Sequence, residues 1–101
     1  MFNEQVWDMC KQIPRGNVST YGEIARALGT KAYQAVGNAL NKNPYAPRVP
    51  CHRVVSSDGS LGGFAHGSKQ KIALLCSEGV AVVDGKIVDF EKKFFTIKPI
   101  F

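Results

Sequence analysis

The sequence predicts a mainly α-helical domain with a small β component, of the winged-helix type. Three observations predict it: helical periodicity dominates residues 4–41, a glycine-containing turn interrupts that periodicity, and an Asp-Gly pair separates two apolar runs near the carboxyl terminus. With 101 residues, 45% hydrophobic and 21% charged, the chain has the composition of one globular domain. We therefore expect a single domain over residues 1–101, with a helix-turn-helix at about residues 20–41 and an active-site loop at residues 50–55.

A first helix is predicted over residues 4–12. Asn3 is placed to cap its amino terminus, and Phe2 and Trp7 have the spacing of a hydrophobic staple around that cap. Pro14 follows the last helical residues and lacks the backbone N–H that another helical turn requires. The helix should therefore end before it.

The next segment has the pattern of a helix-turn-helix. Thr20 and Glu23 have the spacing of a capping box, which predicts the start of a second helix. Gly29 is expected to end that helix, and a third helix should start near Lys31. Helical spacing predicts one buried face on this third helix, formed by Ala32, Ala35, Val36, Ala39 and Leu40.

The third helix is rich in small residues and contains Gly37, which costs about 1 kcal/mol relative to alanine in a helix interior. Small residues let a helix approach another surface closely. The sequence leaves open whether that surface is the protein core or a DNA groove.

The segment from Asn43 to Pro50 is predicted to be rigid and irregular, because its three prolines fix φ and bias the preceding residues toward extended backbone. A short strand should follow at residues 53–55. A later helix begins after Ser68, and the residues predicted on its buried face are Ile72, Leu75 and Cys76.

A β-hairpin is predicted near the carboxyl terminus. Its strands are residues 80–83 and 86–90, and Asp84-Gly85 is a typical two-residue turn between them. The glycine-rich loop at residues 61–67 has neither the strand–glycine context of a dinucleotide site nor the ending of a P-loop, so it predicts no nucleotide site.

Cys51 is the candidate nucleophile. It follows the proline-rich segment and precedes His52 and Arg53, so an imidazole and a cation are available to stabilise a thiolate. The other two cysteines, Cys10 and Cys76, fall on predicted apolar helix faces, where free cysteine behaves as a small hydrophobe. Three cysteines without a Cys-x-x-Cys pair predict neither a disulfide framework nor a zinc site.

The positive charge is concentrated in residues 11–53. The chain has a net charge of +5, and this segment holds seven basic residues against the single acid Glu23: Lys11, Arg15, Arg26, Lys31, Lys42, Arg48 and Arg53. Such a segment is typical of proteins that bind a polyanion, although a solvated lysine-rich face remains an alternative. No apolar run approaches the ~18 residues that span a bilayer, and no signal peptide is evident, so we expect an intracellular protein without a membrane segment.

These motifs together resemble the carboxy-terminal domain of the O6-alkylguanine-DNA alkyltransferases, the methylated-DNA–protein-cysteine methyltransferases. The resemblance covers nearly the whole chain and keeps the order of the family's motifs. Its elements are Val6-Trp7, Ile13-Pro14-Arg15-Gly16, Thr20-Tyr21, Ala35-Val36-Gly37, Asn43-Pro44, Pro50-Cys51-His52-Arg53-Val54-Val55, Gly62-Gly63 and Glu78-Gly79.

The resemblance implies direct DNA repair by a single-turnover methylated-DNA–[protein]-cysteine S-methyltransferase. The helix-turn-helix would bind duplex DNA in the minor groove, a guanine alkylated at O6 would be flipped into a pocket, and a cysteine would take the alkyl group irreversibly. O4-alkylthymine is left open as a second substrate. The resemblance also implies no cofactor or metal, a monomer, and a location in the cytoplasm at the nucleoid, or in a eukaryotic nucleus.

By the same resemblance five residues carry the reaction. Cys51 attacks as the thiolate, His52 takes its proton through water, and Glu78 orients the imidazole, in the logic of a catalytic triad. Tyr21 donates a hydrogen bond to the purine ring, and Asn43 fixes the turn that joins the DNA-binding unit to the site. A core aromatic and an ordinary turn asparagine are the alternative interpretations of Tyr21 and Asn43.

The resemblance implies DNA contacts by Thr20, Tyr21, Lys31, Gln34, Ala35, Gly37, Asn38 and Arg53. The residues implied to line the guanine pocket are Leu40, Val54, Gly63, Phe64 and Ala65. Arg53 is equally consistent with a structural cation paired with an acid. For Leu40 and Phe64, the alternative is a place in the core.

Three places depart from the family's pattern. Gln34 stands where most members carry an arginine that enters the vacated base stack, Phe64 stands where a tyrosine is common, and Ala65-His66 replaces a more usual small polar pair. These changes leave the range of alkyl groups open. The first rival is an alkyltransferase-like sensor that binds the lesion without efficient transfer, although such proteins lack a cysteine at the position of Cys51. The second, a cysteine hydrolase, has no need of a basic helix-turn-helix.

Overall fold

The computed structural model describes residues 2–45, 48–61 and 68–99. Five α-helices, four two-residue strands and one 3₁₀ turn are formed within them. In chain order they are α1 (Phe2–Lys11), β1 (Ser19–Thr20), α2 (Tyr21–Leu28), α3 (Tyr33–Asn41), the Cys51 turn (Cys51–Arg53), β2 (Val54–Val55), α4 (Ser68–Ser77), β3 (Val82–Val83), β4 (Lys86–Ile87) and α5 (Phe90–Lys93). The predicted mainly helical architecture is confirmed. None of the described helices is long and apolar enough to cross a membrane.

The first helix begins earlier than predicted. It starts at Phe2 rather than at residue 4, so Asn3 lies inside the helix and the predicted cap with its staple is wrong. Its buried residues are Val6, Met9 and Cys10. The indole N–H of Trp7 donates to the carbonyl oxygen of Ala39 at 2.8 Å, which attaches α1 to α3.

The predicted start and end of α2 are confirmed. The hydroxyl of Thr20 accepts the backbone N–H of Glu23 at 3.0 Å. Gly29 ends the helix at φ +72°, a left-handed conformation that glycine adopts without strain. Glu23 does not complete a reciprocal box, because its carboxylate instead accepts Nε and Nη2 of Arg26 and the backbone N–H of Ile97.

Helix α3 starts two residues later than predicted. Ala32 lies before the helix and is exposed, so the expected apolar face is shorter, and its buried part consists of Val36, Ala39 and Leu40. The opposite face carries Gly37, where an added methyl group would meet no other atom within 4 Å. Core packing therefore does not require the small residue at this position.

A short parallel ladder connects the helix-turn-helix to the segment after Cys51. Ser19 pairs with Val54 and Thr20 with Val55. Because α2 begins directly after β1, and β2 begins directly after the Cys51 turn, this ladder fixes Tyr21 relative to Cys51. The strand at residues 53–55 was predicted from the sequence, but its pairing with β1 was not.

The core consists of two apolar clusters. The first lies between α1, α2, α3 and the Cys51 turn and includes Ile97 from the carboxy-terminal tail. The second lies under α4 and the hairpin, and its buried members are Val18, Val55, Leu61, Leu75, Val80 and Ile87. The Asp84-Gly85 hairpin is confirmed, with both residues at positive φ, although its strands are shorter than predicted. Cys76 is exposed, which corrects its predicted place in the core.

Candidate active site

Cys51 lies buried on the 3₁₀ turn at the junction of the two core clusters. Its backbone N–H donates to Val49 at 2.8 Å, and the N–H of Arg53 donates to Pro50 at 2.9 Å, so the turn is closed on both sides. In a 3₁₀ turn, successive side chains point about 120° apart. Cys51 and the two residues after it therefore face different parts of the molecule.

Glu78 binds both residues that follow Cys51. Its Oε2 lies 3.0 Å from Nε2 of His52 and 2.6 Å from Nη2 of Arg53, and its Oε1 accepts Nε of Arg53 at 2.9 Å. Arg53 also donates to the carbonyl oxygen of Ile13 at 2.8 Å. Glu78, which directly follows α4, is thereby bound to the Cys51 turn. Arg53 in turn links the turn to Ile13, in the segment that follows α1.

The protonation of this cluster follows from its contacts. Burial would raise the pKa of Glu78, but the hydrogen bonds from Arg53 and His52 outweigh that effect and lower the pKa. Since Glu78 is then ionised and accepts from Nε2, the proton of neutral His52 resides on Nε2. Burial also lowers the pKa of His52. Its Nδ1 is therefore left with a lone pair that can accept a proton.

Arg53 is held inside the protein. Its guanidinium makes the bidentate pair with Glu78, and its side chain is 15% exposed. These contacts favour the alternative of a structural cation paired with an acid, and a DNA contact by Arg53 stays a prediction.

Lys71 is a residue of the site that the sequence analysis missed. It has 0% of its surface exposed, and its ammonium donates to the carbonyl oxygens of Val54 at 2.7 Å and Leu61 at 2.6 Å. Burial lowers the pKa of Lys71 to about 8, an effect opposed by its electrostatic attraction to Cys51 and Cys10. The amine thus connects the strand after Cys51 to Leu61 and places a positive charge near the sulfur.

Tyr21, the first residue of α2, packs at the edge of the first core cluster, partly buried. Burial raises the pKa of Tyr21, and the nearby Cys51 raises it further, so its hydroxyl remains a hydrogen-bond donor at neutral pH. It lines a cavity of about 360 Å³ on the outer face of the helix-turn-helix. The other lining residues are Tyr33, Gln34, Gly37, Asn38 and Asn41.

Asn43 fixes the loop that leads to Cys51. Its Nδ2 donates to the carbonyl oxygen of Val49 at 2.8 Å, and its Oδ1 accepts the backbone N–H of Tyr45 at 2.9 Å. Val49 in turn accepts the N–H of Cys51. One side chain therefore supports the backbone on which the thiol is placed.

The residues predicted to contact DNA occupy different environments. Lys31, Gln34 and Asn38 are exposed, and Ala35 and Gly37 are partly exposed. Thr20 is buried and its hydroxyl caps α2, and a DNA contact by this residue stays a prediction.

The basic surface is smaller than the sequence suggested. Arg53 and Arg26 pair with Glu78 and Glu23, and Arg15 donates to the carbonyl oxygen of Ser77. The exposed basic residues that remain along the second half of the segment are Lys31, Lys42 and Arg48.

Two of the five residues predicted to line the guanine pocket lie within the part of the chain that the structure describes. Leu40 and Val54 belong to the first core cluster and are buried. Gly63, Phe64 and Ala65 lie outside the described residues, so the pocket remains a prediction. Within residues 2–45, 48–61 and 68–99, no group of three or more histidine, cysteine or acidic side chains could hold a metal ion.

The fold and the site together define a helix-turn-helix domain with a buried cysteine next to a His–Glu–Arg cluster. Residues 1–80 match the family described as 6-O-methylguanine DNA methyltransferase, DNA binding domain. The chain belongs to this family.

The curated relatives that match are longer chains. The methylated-DNA–protein-cysteine methyltransferase of Methanosarcina acetivorans is 51% identical over 79 residues, which are 77% of this chain and 51% of the relative. The bifunctional methyltransferase/endonuclease of Thermoplasma volcanium is 41% identical over 93 residues, covering 89% of this chain and 29% of that protein. Among the methylated-DNA–protein-cysteine methyltransferases it matches, the chain spans about half of their length.

Two solved structures resemble this chain, and they differ in sequence identity and in the share of each chain that the match covers. The OGT of Mycobacterium tuberculosis in complex with DNA matches with a TM-score of 0.73 and 45% identity, covering 76% of this chain and 48% of that one. S. pombe Atl1, in complex with damaged DNA containing O6-carboxymethylguanine, matches with a TM-score of 0.82 and 32% identity. The Atl1 match covers 93% of this chain and 94% of that one.

Proposed function

We propose that this protein repairs O6-alkylguanine in duplex DNA by transferring the alkyl group to Cys51, irreversibly and without turnover. The observation that carries the proposal is the anchoring of the Cys51 turn, because its next two side chains both bind the buried carboxylate of Glu78. A thiol held on so fixed a turn is preorganised for one attack geometry. The names of the relatives and their DNA complexes support the substrate.

In the proposed reaction the Cys51 thiol first loses its proton to Nδ1 of His52 through a water molecule. The thiolate then attacks the alkyl carbon, so an S–C bond forms while the C–O6 bond breaks and its electron pair passes to the purine. The proton is returned to the guanine, and Tyr21 donates a hydrogen bond to the ring as charge develops there. The products are guanine and an S-alkylcysteine. The thioether sulfur is a poor leaving group, so the protein acts once.

The proposed partner is duplex DNA, bound through the outer face of α3. Gln34 and Asn38 are exposed there, and Lys31 is exposed just before the helix. Gly37 leaves the helix surface open, which allows close approach to a nucleic-acid backbone. The cavity beside Tyr21 is also lined by residues of α3, and the flipped base would enter from that side.

A second candidate function is lesion binding without transfer. The match to Atl1 over nearly the full length of both chains favours it. The uncharged Gln34 also favours it, because it stands where most members of the family carry an arginine that enters the vacated stack. The buried and anchored Cys51 favours transfer instead, since a sensor has no use for a nucleophile.

The test is intact-protein mass spectrometry after incubation with a duplex containing O6-methylguanine, followed by peptide mapping. We expect one methyl group on Cys51, none on the variant Cys51→Ser, and normal transfer by Cys76→Ser, whose thiol is exposed and outside the site. Tight binding of the lesion duplex without any gain in mass would contradict transfer and support the sensor.

A further inference from the structure

Tyr33 is a large aromatic side chain that the fold leaves half exposed. It is the first residue of α3, and 53% of its surface is accessible. Its ring passes beside Gly22 of α2, where an added methyl group would lie 4.0 Å from Cε1. The ring is therefore positioned across the start of both helices of the helix-turn-helix, without entering the core.

Tyr33 lines two cavities. On one side it lines the cavity of about 360 Å³ that also contains Tyr21 and Gln34. On the other side it lines a cavity of about 310 Å³ that contains Arg26 and Lys31. Since Tyr33 lines both cavities, its ring forms the ridge between them.

The two cavities differ in chemistry. The larger one is lined by a phenol and by the amides of Gln34, Asn38 and Asn41, which are groups that hydrogen-bond to base edges. The smaller one contains Lys31, an exposed cation that suits a phosphate group, beside Arg26, which pairs with Glu23. An aromatic ridge between a base-binding and a phosphate-binding surface fits a nucleic-acid strand that runs across it.

We propose that Tyr33 is the wedge that stacks on the bases beside the flipped nucleotide and holds the opened duplex. The inference rests on the proposed function and goes beyond it by naming the residue that stabilises the flipped state. A tyrosine ring offers a π face to a neighbouring base, whereas the adjacent Gln34 offers an amide that does not stack as well. Gly37, one helical turn further on the same face, provides clearance for the strand.

The experiment uses a duplex with O6-methylguanine and a neighbouring 2-aminopurine, whose fluorescence rises when the base beside it leaves the stack. The variants are Tyr33→Ala, Tyr33→Phe and the control Tyr45→Ala, which removes a tyrosine that is 55% exposed on a different surface. Fluorescence, lesion affinity and methyl transfer are each recorded, and thermal unfolding measures the stability of every variant.

We expect Tyr33→Ala to weaken flipping and lesion binding by about tenfold, the size of one lost base–aromatic stack. Tyr33→Phe, which keeps the ring, should retain both, and Tyr45→Ala should resemble the unmodified protein. Equal flipping by Tyr33→Ala and the unmodified protein would overturn the inference, as would an equal loss in Tyr45→Ala.

The two proposals can fail separately. If the unmodified protein gives the fluorescence change but gains no methyl group, transfer is contradicted. The fluorescence of the variants then still tests whether Tyr33 stabilises the flipped state. If the unmodified protein transfers the methyl group without any fluorescence change, the function stands and the wedge is overturned.

Discussion

Oε2 of Glu78 accepts a hydrogen bond from Nε2–H of His52 at 3.0 Å, although the two residues are 26 positions apart in the sequence. The same carboxylate binds Arg53, so the base of the proposed reaction and the structural cation beside it share one acceptor. The tautomer of the base is thus fixed by a residue that also anchors the turn. Chemistry and local stability are coupled at this site because they depend on the same carboxylate.

Replacing Glu78 by glutamine should therefore affect both properties. The amide keeps the shape but can donate to Nε2, which permits the other tautomer, and it leaves Arg53 without a charged partner. We expect transfer to slow by about 10²-fold or more and the free energy of unfolding to fall by about 1–3 kcal/mol. Single-turnover transfer and urea denaturation measure the two effects.

The matched control is Glu91→Gln, which removes an exposed acid from α5. It should change neither the transfer rate nor the stability beyond a few tenths of a kcal/mol. If Glu78→Gln lowers stability but transfers normally, Glu78 anchors the turn without orienting the base.

The pH dependence of stability should reveal the buried His52. Burial lowers its pKa below the ordinary value of about 6.5. As the pH falls through 6.5, the unfolded chain binds a proton that the folded protein does not, so the free energy of unfolding decreases, by on the order of 1 kcal/mol. Denaturation at pH 7.5 and pH 5.5 should show a larger decrease for the unmodified protein than for His52→Gln. Parallel losses in the two proteins would mean that His52 titrates as it does in the unfolded chain.

Lys71 should assist the thiolate in a manner that depends on pH. Its ammonium is attracted to Cys51, and burial lowers the pKa of Lys71 to about 8. At pH 7 the amine is mostly charged and stabilises the thiolate, whereas at pH 9 it is mostly neutral and no longer does so. The ratio of the transfer rates of the unmodified protein and Lys71→Met should therefore be large at pH 7 and smaller at pH 9.

The control for this experiment is Lys69→Met, an exposed position on the same helix. The ratio of the transfer rates of the unmodified protein and Lys69→Met should be near one at both pH values. A Lys71→Met defect of the same size at pH 7 and pH 9 would assign to Lys71 the structural role alone, that of holding the carbonyl groups of Val54 and Leu61.

Local signals in the sequence predicted the elements that local chemistry determines. The capping hydroxyl of Thr20, the glycine that ends α2, and the Asp84-Gly85 turn each act within a few residues, and each was predicted correctly. The β1–β2 ladder joins residues 35 positions apart, and two-residue strands have no periodicity that could predict such a pairing. Tertiary packing also decides the start of α1, where the predicted cap at Asn3 is wrong.

The resemblance named the residues of the candidate site, and the structure brings two of them, His52 and Glu78, into contact. Cys51, His52 and Glu78 were named, but the acid that binds Arg53 was left open and is the same Glu78. Lys71 was missed because a lysine in the polar first turn of a predicted helix is ordinarily a solvated side chain. Its spacing of four residues from Leu75 was the available signal, since it places both on one helix face.

Asn43 provides the last prediction, because its side chain makes two separable hydrogen bonds. Asn43→Ala removes the donor to Val49 and the acceptor for Tyr45, whereas Asn43→Asp keeps the acceptor and removes the donor. Each lost bond should cost about 1 kcal/mol. If the bond to Val49 positions the Cys51 turn, both variants should slow transfer, and lesion binding should remain unchanged. Transfer rates at saturating duplex, compared with binding constants, measure this distinction. Normal transfer by Asn43→Asp would instead assign the support of the turn to the bond with Tyr45.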